Sequence, residues 1–288
     1  MTGTAILETT EYAILTDSGC DLPDEFLDKL GVTCLPLRVM GVPGNERVLP
    51  PDPADIAAAY RSLADAGAKA VLSLHSSSAL SDAAAWALRA AEQVDVPVEV
   101  VDTGCVSIAL GIVVDCAATC KKEGGTLGEA LEVVSRVADE THILFIPANG
   151  ALPQNLHGLG RRSGFLARAA SLRQRLAGER RLLSIRRGEL PEELFSNADP
   201  SDLTGRAVRA VSVASRSIGP VCYAVMDANS GNLLHLLEKP LDTNEFEHRR
   251  LGIVSAGDAT IASAGDGAIA IAYVSQAVYD LASTPHEI

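Results

Sequence analysis

The chain lacks any apolar run near the roughly 20 residues that a membrane-spanning helix needs. Its first residues, MTGTAILETTEYAILTDSG, carry neither a basic n-region nor a cleavage-site pattern, so no membrane span and a cytoplasmic location are expected. Basic charge is short as well. Against 37 Asp and Glu stand 24 Lys and Arg, a net charge of −13, which argues against a nucleic-acid surface, because neutralising phosphates takes clustered Lys and Arg. The 6 cysteines (Cys20, Cys34, Cys105, Cys116, Cys120, Cys222) form no CxxC pair and are read as reduced, mostly buried thiols. The 6 histidines show no HxH or HExxH spacing, so no metal site is expected. No P-loop, GxGxxG fingerprint or GxSxG elbow occurs, and no cofactor is expected.

What is present fits two domains. At 288 residues with 47% apolar side chains, the chain has enough material for a core in each. Apolar runs at Tyr12 to Thr16, Val32 to Val39, Ala70 to Leu74, Val98 to Val101 and His142 to Ile146 alternate with helical stretches at Asp55 to Gly67, Ala83 to Val94, Ile108 to Lys122 and Leu127 to Thr141. Alternation of this kind predicts an α/β fold, with an N-terminal parallel sheet covered by helices on both faces. Pro36 places its strand at an edge or a bulge. After Asn149-Gly150 the pattern changes. A boundary near 150 divides an N-terminal α/β domain (1–150) from a C-terminal α/β domain (151–288) with a mixed or antiparallel sheet, its strands at Leu182 to Arg186, Val221 to Met226, Gly252 to Ser255 and Ile269 to Val274.

Chemistry concentrates where Val71-Leu72-Ser73-Leu74 runs into His75-Ser76-Ser77-Ser78-Ala79-Leu80-Ser81-Asp82 and then an alanine-rich helix. A helix start exposes backbone N–H groups and partial positive charge, and flanking hydroxyls add donors for a carboxylate or phosphate. Ser81 can equally serve as a cap for the helix. In an open α/β sheet the loops at Asp17-Ser18, Ser76 to Ser78 and Asp102-Thr103 gather at one edge, where ligands bind. Asp17 and Ser18 have two readings, as headgroup contacts or as turn residues bonded to their own backbone. Between Arg161 and Arg187 lie nine arginines and one acid, Glu179. This local basic face reads as a solvated helix surface or, through Arg161, Arg162, Arg168 and Arg173, as a docking surface for a phosphate-bearing or acidic partner.

The run Leu15-Thr16-Asp17-Ser18-Gly19-Cys20-Asp21-Leu22-Pro23, the segment Ser77-Ser78-Ala79-Leu80-Ser81 and Val101-Asp102-Thr103 resemble, in order and spacing, the TDS…DLP, SSxLSGT and DS motifs of the DegV family of bacterial fatty-acid-binding proteins. Ser107 to Gly111, Leu156 to Arg161 and Gly265-Asp266-Gly267 extend the likeness, which runs from about residue 12 to 275. The resemblance implies a two-domain carrier that is not itself an enzyme. It would hold a long-chain fatty acid between the domains, carboxylate near the serine loop, and present it to a separate fatty acid kinase. On this reading Ser77, Ser78, Ser81, Asp17, Ser18, His75, Ser263 and Gly265 are the candidate ligand contacts. There are departures. Val48 stands where the family carries a threonine, Ser263 where it carries a histidine, Asp266 where it carries a proline, and Ser81-Asp82-Ala83 replaces SGT.

Two other readings remain open on sequence. A hydrolase or phosphotransfer enzyme would use the serine loop, with Ser78, His75 and Asp102 supplying nucleophile, base and carboxylate. An interaction module with a decayed lipid site would work through the arginine face.

Overall fold

The computed structural model describes residues 6–42, 45–148, 180–197, 199–243 and 246–283. In chain order the first half runs β1 (Tyr12–Asp17), α1 (Asp24–Leu30), β2 (Val32–Leu35), β3 (Arg38–Val42), β4 (Asn45–Leu49), α2 (Pro53–Asp65), β5 (Ala70–His75), α3 (Ala83–Ala91) and β6 (Val98–Asp102). There follow α4 (Ile108–Lys122), α5 (Leu127–Glu140), β7 (His142–Ile146), β8 (Arg180–Ile185), β9 (Glu192–Asn197), α6 (Pro200–Ile218), β10 (Val221–Asp227), α7 (Asn232–Thr243), β11 (His248–Ser255), α8 (Asp258–Ala264) and β12 (Ile269–Ser275).

Four strands form a parallel sheet in the order β2-β1-β5-β6. Every residue of β5 is buried, as a near-continuous apolar strand covered on both faces must be. Ile56, Ala57 and Tyr60 of α2 and Ala90 of α3 cover one face. Against the other lies α4, whose alanine, glycine and cysteine residues keep it thin enough to be buried on nearly all sides. A Cβ on Gly111 would stand 2.7 Å from the carbonyl oxygen of Cys20, so only glycine lets α4 approach that loop. The amphipathic α5 beside it starts at a capping box between Thr126 and Glu129.

The second sheet has six strands in the order β11-β10-β12-β7-β8-β9 and is mixed, with β10 and β11 parallel and its other pairs antiparallel. One core joins both sheets through α4 and α5, taking Ile14 and Leu72 from the first and Phe145 and Ala270 from the second. Leu203 and Val208 of α6 and Leu233 and Leu237 of α7 cover the far face.

Three local outcomes differ from the sequence expectation. The strand expected over Val32 to Val39 breaks at Pro36, which has no N–H for a ladder, and β2 ends as an edge strand. Beyond the break, β3 pairs with β4 in a separate antiparallel hairpin. Strand β7, expected among the parallel strands, instead pairs antiparallel with β12 and β8.

Candidate functional site

Between the two sheets lies an open-mouthed cavity of about 150 Å³. Leu37, Val48, Leu80 and Val106 wall it from the first half, and Phe145, Leu183 and Ile185 from the second. Hydroxyls enter it at Ser76, Ser81, Ser107, Thr260 and Ser263. An apolar hollow with a few hydroxyls suits a ligand that is mostly hydrocarbon with one small polar end.

The serine loop is strapped down before it meets any ligand. Ser77 N–H donates to the Cys105 carbonyl at 2.8 Å, Leu80 and Ser81 N–H donate to the Ser77 carbonyl at 2.9 Å, and Ser78 N–H donates to Asp102 Oδ1 at 3.1 Å. Ala79 N–H donates to Ser77 Oγ at 3.3 Å. The amides of Ser77 to Ser81 are therefore engaged by the protein itself. What the loop presents to the cavity is hydroxyl: Ser81 Oγ accepts from Ala83 N–H at 3.2 Å and keeps its own hydrogen to give.

Behind the loop runs a buried polar chain. Tyr60 Oη and Ser73 Oγ are 2.8 Å apart, Ser73 Oγ and His75 Nε2 2.8 Å, and His75 Nδ1 and Asp17 Oδ2 2.9 Å. Asp17 Oδ1 accepts from Gly19 N–H at 3.0 Å and from Ser76 Oγ at 3.4 Å. Burial raises the Tyr60 hydroxyl to about 12, so it stays a neutral donor. The order serine, Nε2, Nδ1, aspartate has the connectivity of a hydrolytic triad. It is sealed, however: Ser73 is fully buried and His75 is 2% exposed. Both ring nitrogens are occupied, so the arrangement of Ser78, His75 and Asp102 does not form. The chain of bonds fixes Asp17, and through it Gly19 and Ser76 at the cavity wall.

Asp21 makes a second buried cluster. It accepts from Ser107 Oγ at 2.5 Å, Thr260 Oγ1 at 2.9 Å and Gly257 N–H at 2.9 Å. Desolvation lifts its carboxyl to about 6 despite these donors. Two of the donors, Ser107 and Thr260, line the cavity.

The sequence model described as "Uncharacterised protein, DegV family" matches residues 44–190. The chain belongs to the DegV family. A DegV domain-containing protein of Streptomyces coelicolor is 34% identical over 154 residues, a match that covers 46% of this chain and 55% of the relative, so it spans about half the length of that protein. The fold is shared with a DegV family protein of Thermus thermophilus that binds fatty acid, at TM-score 0.79 and 22% identity, covering 92% of this chain and 99% of that one. It is also shared with a stearic acid-binding protein of Eubacterium ventriosum, at TM-score 0.76 and 16% identity, covering 93% and 99%.

Against the DegV motifs, Ser81 and Ser263 are the candidate contacts that line the cavity, with Ser263 Oγ donating to the Ala259 carbonyl at 2.8 Å. Ser77 is buried against its own loop, and Ser78 is exposed. Ser18 Oγ accepts from Leu37 N–H at 2.9 Å and so positions a wall residue. Asp17 and His75 stand behind the wall. Gly265, at φ +87, ends α8 with its N–H on the Ile261 carbonyl at 2.8 Å. Val48, which the motif resemblance sets against a threonine, lines the cavity. Asp82 is exposed at the start of α3, and Asp266 accepts from Asn229 Nδ2 at 3.0 Å on the surface, so neither acid is part of the lining. Arg161, Arg162, Arg168 and Arg173 lie outside the described residues. Gly19, Ser76, Ser107 and Thr260 were absent from the expected contacts. Ser76 lies in the serine loop, and Ser107 opens the Ser107 to Gly111 segment. Among the described residues no group of three or more His, Cys, Asp or Glu is placed to hold a metal ion, and no helix is long and apolar enough to cross a membrane.

Proposed function

We propose that this protein is a non-catalytic carrier that holds a fatty acid, or a similar amphiphilic carboxylate, in the cavity between its two sheets. The observation that carries the reading is the lining: an apolar wall of Leu80, Val106, Phe145, Leu183 and Ile185 beside the hydroxyls of Ser76 and Ser81. The acyl chain lies along the first set and the acid head meets the second. The fatty acid bound by the Thermus thermophilus and Eubacterium ventriosum relatives supports the same ligand class. Burial of the Ser73, His75 and Asp17 chain supports a carrier over a hydrolase, because an ester has no access to the serine oxygen.

The loaded protein would present its acid to a fatty acid kinase, with Arg161, Arg162, Arg168 and Arg173 as the docking face. Support for that step is the family resemblance and the concentration of arginine in an acidic chain. Solvent extraction of the purified protein followed by mass spectrometry tests the carrier reading. A stoichiometric fatty acid is expected; an empty, folded protein that takes up none when supplied with palmitate contradicts it.

A further inference from the structure

We propose that the cavity holds its fatty acid uncharged, as the protonated acid, and so selects for a head that can itself donate a hydrogen bond. This rests on the carrier reading and adds the form in which the head is bound.

Five hydroxyls line the cavity, on Ser76, Ser81, Ser107, Thr260 and Ser263. Four of them turn their hydrogen into the protein. Ser107 Oγ donates to Asp21 Oδ2 at 2.5 Å, and Thr260 Oγ1 donates to the same oxygen at 2.9 Å. Ser263 Oγ donates to the Ala259 carbonyl at 2.8 Å, and Ser76 Oγ donates to Asp17 Oδ1 at 3.4 Å. A hydroxyl carries a single hydrogen, so each of these can offer a ligand only its oxygen. Of the five, only Ser81 Oγ, which accepts from Ala83 N–H at 3.2 Å, has a hydrogen left to give.

An ionised carboxylate only accepts hydrogen bonds, and it has about four lone-pair sites to satisfy. This wall meets it with four hydroxyl acceptors and one donor, and no Lys, Arg or His stands among the described lining residues. The start of α8, where helix amides would favour an anion, already faces the Asp21 carboxylate, which takes Gly257 N–H at 2.9 Å. Asp17 and Asp21 stand directly behind the wall hydroxyls. His75 does not offset them at the cavity, because Nδ1 lies on Asp17 at 2.9 Å and Nε2 on Ser73 at 2.8 Å. From the second half, Phe145, Leu183 and Ile185 bring apolar side chains.

Protonation removes the mismatch. The acid takes one proton from water as its head enters, and then has one O–H to donate and a carbonyl to accept. Ser81 Oγ–H donates to that carbonyl, and the acid O–H donates to the oxygen of a wall hydroxyl. Desolvation acts in the same direction, since burial without matching donors disfavours the charged form of an acid.

NMR of palmitate labelled with carbon-13 at its carboxyl, loaded at less than one equivalent on the full chain, reads the state of the bound head. At neutral pH the bound resonance is expected at the position of the protonated acid, and at the carboxylate position only in alkaline solution, whereas a carboxyl in water ionises near about 4. Because the label is on the ligand, titration of Asp21 is not mistaken for it. A second arm asks which heads displace the label. Hexadecanol, an uncharged donor, should displace it at neutral pH, and hexadecanesulfonate, which stays ionised, should compete at least about tenfold more weakly. A bound carboxylate resonance at neutral pH, or displacement by the sulfonate as readily as by the alcohol, overturns the proposal and leaves the carrier reading standing. The absence of any bound resonance contradicts the carrier reading itself, and the proposal falls with it.

Discussion

Ser107 Oγ donates to Asp21 Oδ2 across 2.5 Å, and this contact ties the start of α4 to a carboxylate that also holds Gly257 and Thr260 at the start of α8. Asp21 thereby joins the two halves beside the cavity. Ser107 takes φ +53 and ψ −141, a region that only glycine enters freely, and its side-chain bond to Asp21 helps to hold that backbone in place.

The Asp21 carboxyl is raised from 3.8 to about 6. The folded chain then binds a proton between those values and the unfolded chain does not. Stability from this group is full below 3.8 and is lost as pH rises through 6. Its span is about 3 kcal/mol. Denaturant melts across that window, compared between wild type and Asp21→Asn, should show the slope in the wild type and a flatter profile in the variant. Parallel profiles would mean that Asp21 does not titrate there.

His75→Ala removes the partner of a buried carboxylate and empties a site in a fully buried chain of hydrogen bonds. The expected cost is about 2–5 kcal/mol, read as a lower urea midpoint with an unchanged slope. In conditions where the variant is folded, palmitate affinity should stay within a few-fold of wild type, because His75 stands behind the wall. Hydrolysis of a model ester should be absent from both proteins.

A Cβ on Gly19 would stand 2.8 Å from both Asp17 Oδ1 and Ser76 Oγ, closer than real Cβ contacts allow. Gly19→Ala must displace one of them, at a cost of about 1–3 kcal/mol in thermal or denaturant stability. Ser81→Ala is milder for the fold. It removes the loop hydroxyl with a hydrogen to give, and calorimetric titration with palmitate should show about tenfold weaker binding.

Elements set by local pattern were legible in the sequence. The run from Ile108 to Lys122 is the helix expected, because a mostly apolar stretch of helical length continues there with no proline to break it. β9, with the sequence EELFSN, shows too little apolar character to announce a strand, and the β3–β4 hairpin was hidden by reading through Pro36. Which sheet takes β7 depends on its pairing with β12, more than a hundred residues later, and no local feature encodes it. The site divides in the same way. The serine loop was visible as a cluster, yet its role changed once partners were known. His75 finds Ser73 inside an apolar strand and Asp17 58 residues away, while Asp21 finds Ser107 86 residues away and Thr260 239 residues away.

Native mass spectrometry of the wild type and of Val106→Trp, each after exposure to palmitate, tests the central claim most directly. Val106 is a partly exposed wall residue, so an indole there fills the hollow without overpacking the core. The wild type should retain a single palmitate per chain, and the folded Val106→Trp variant none. Equal retention by both proteins, or none by the wild type, would contradict the assignment of an acyl chain to this cavity.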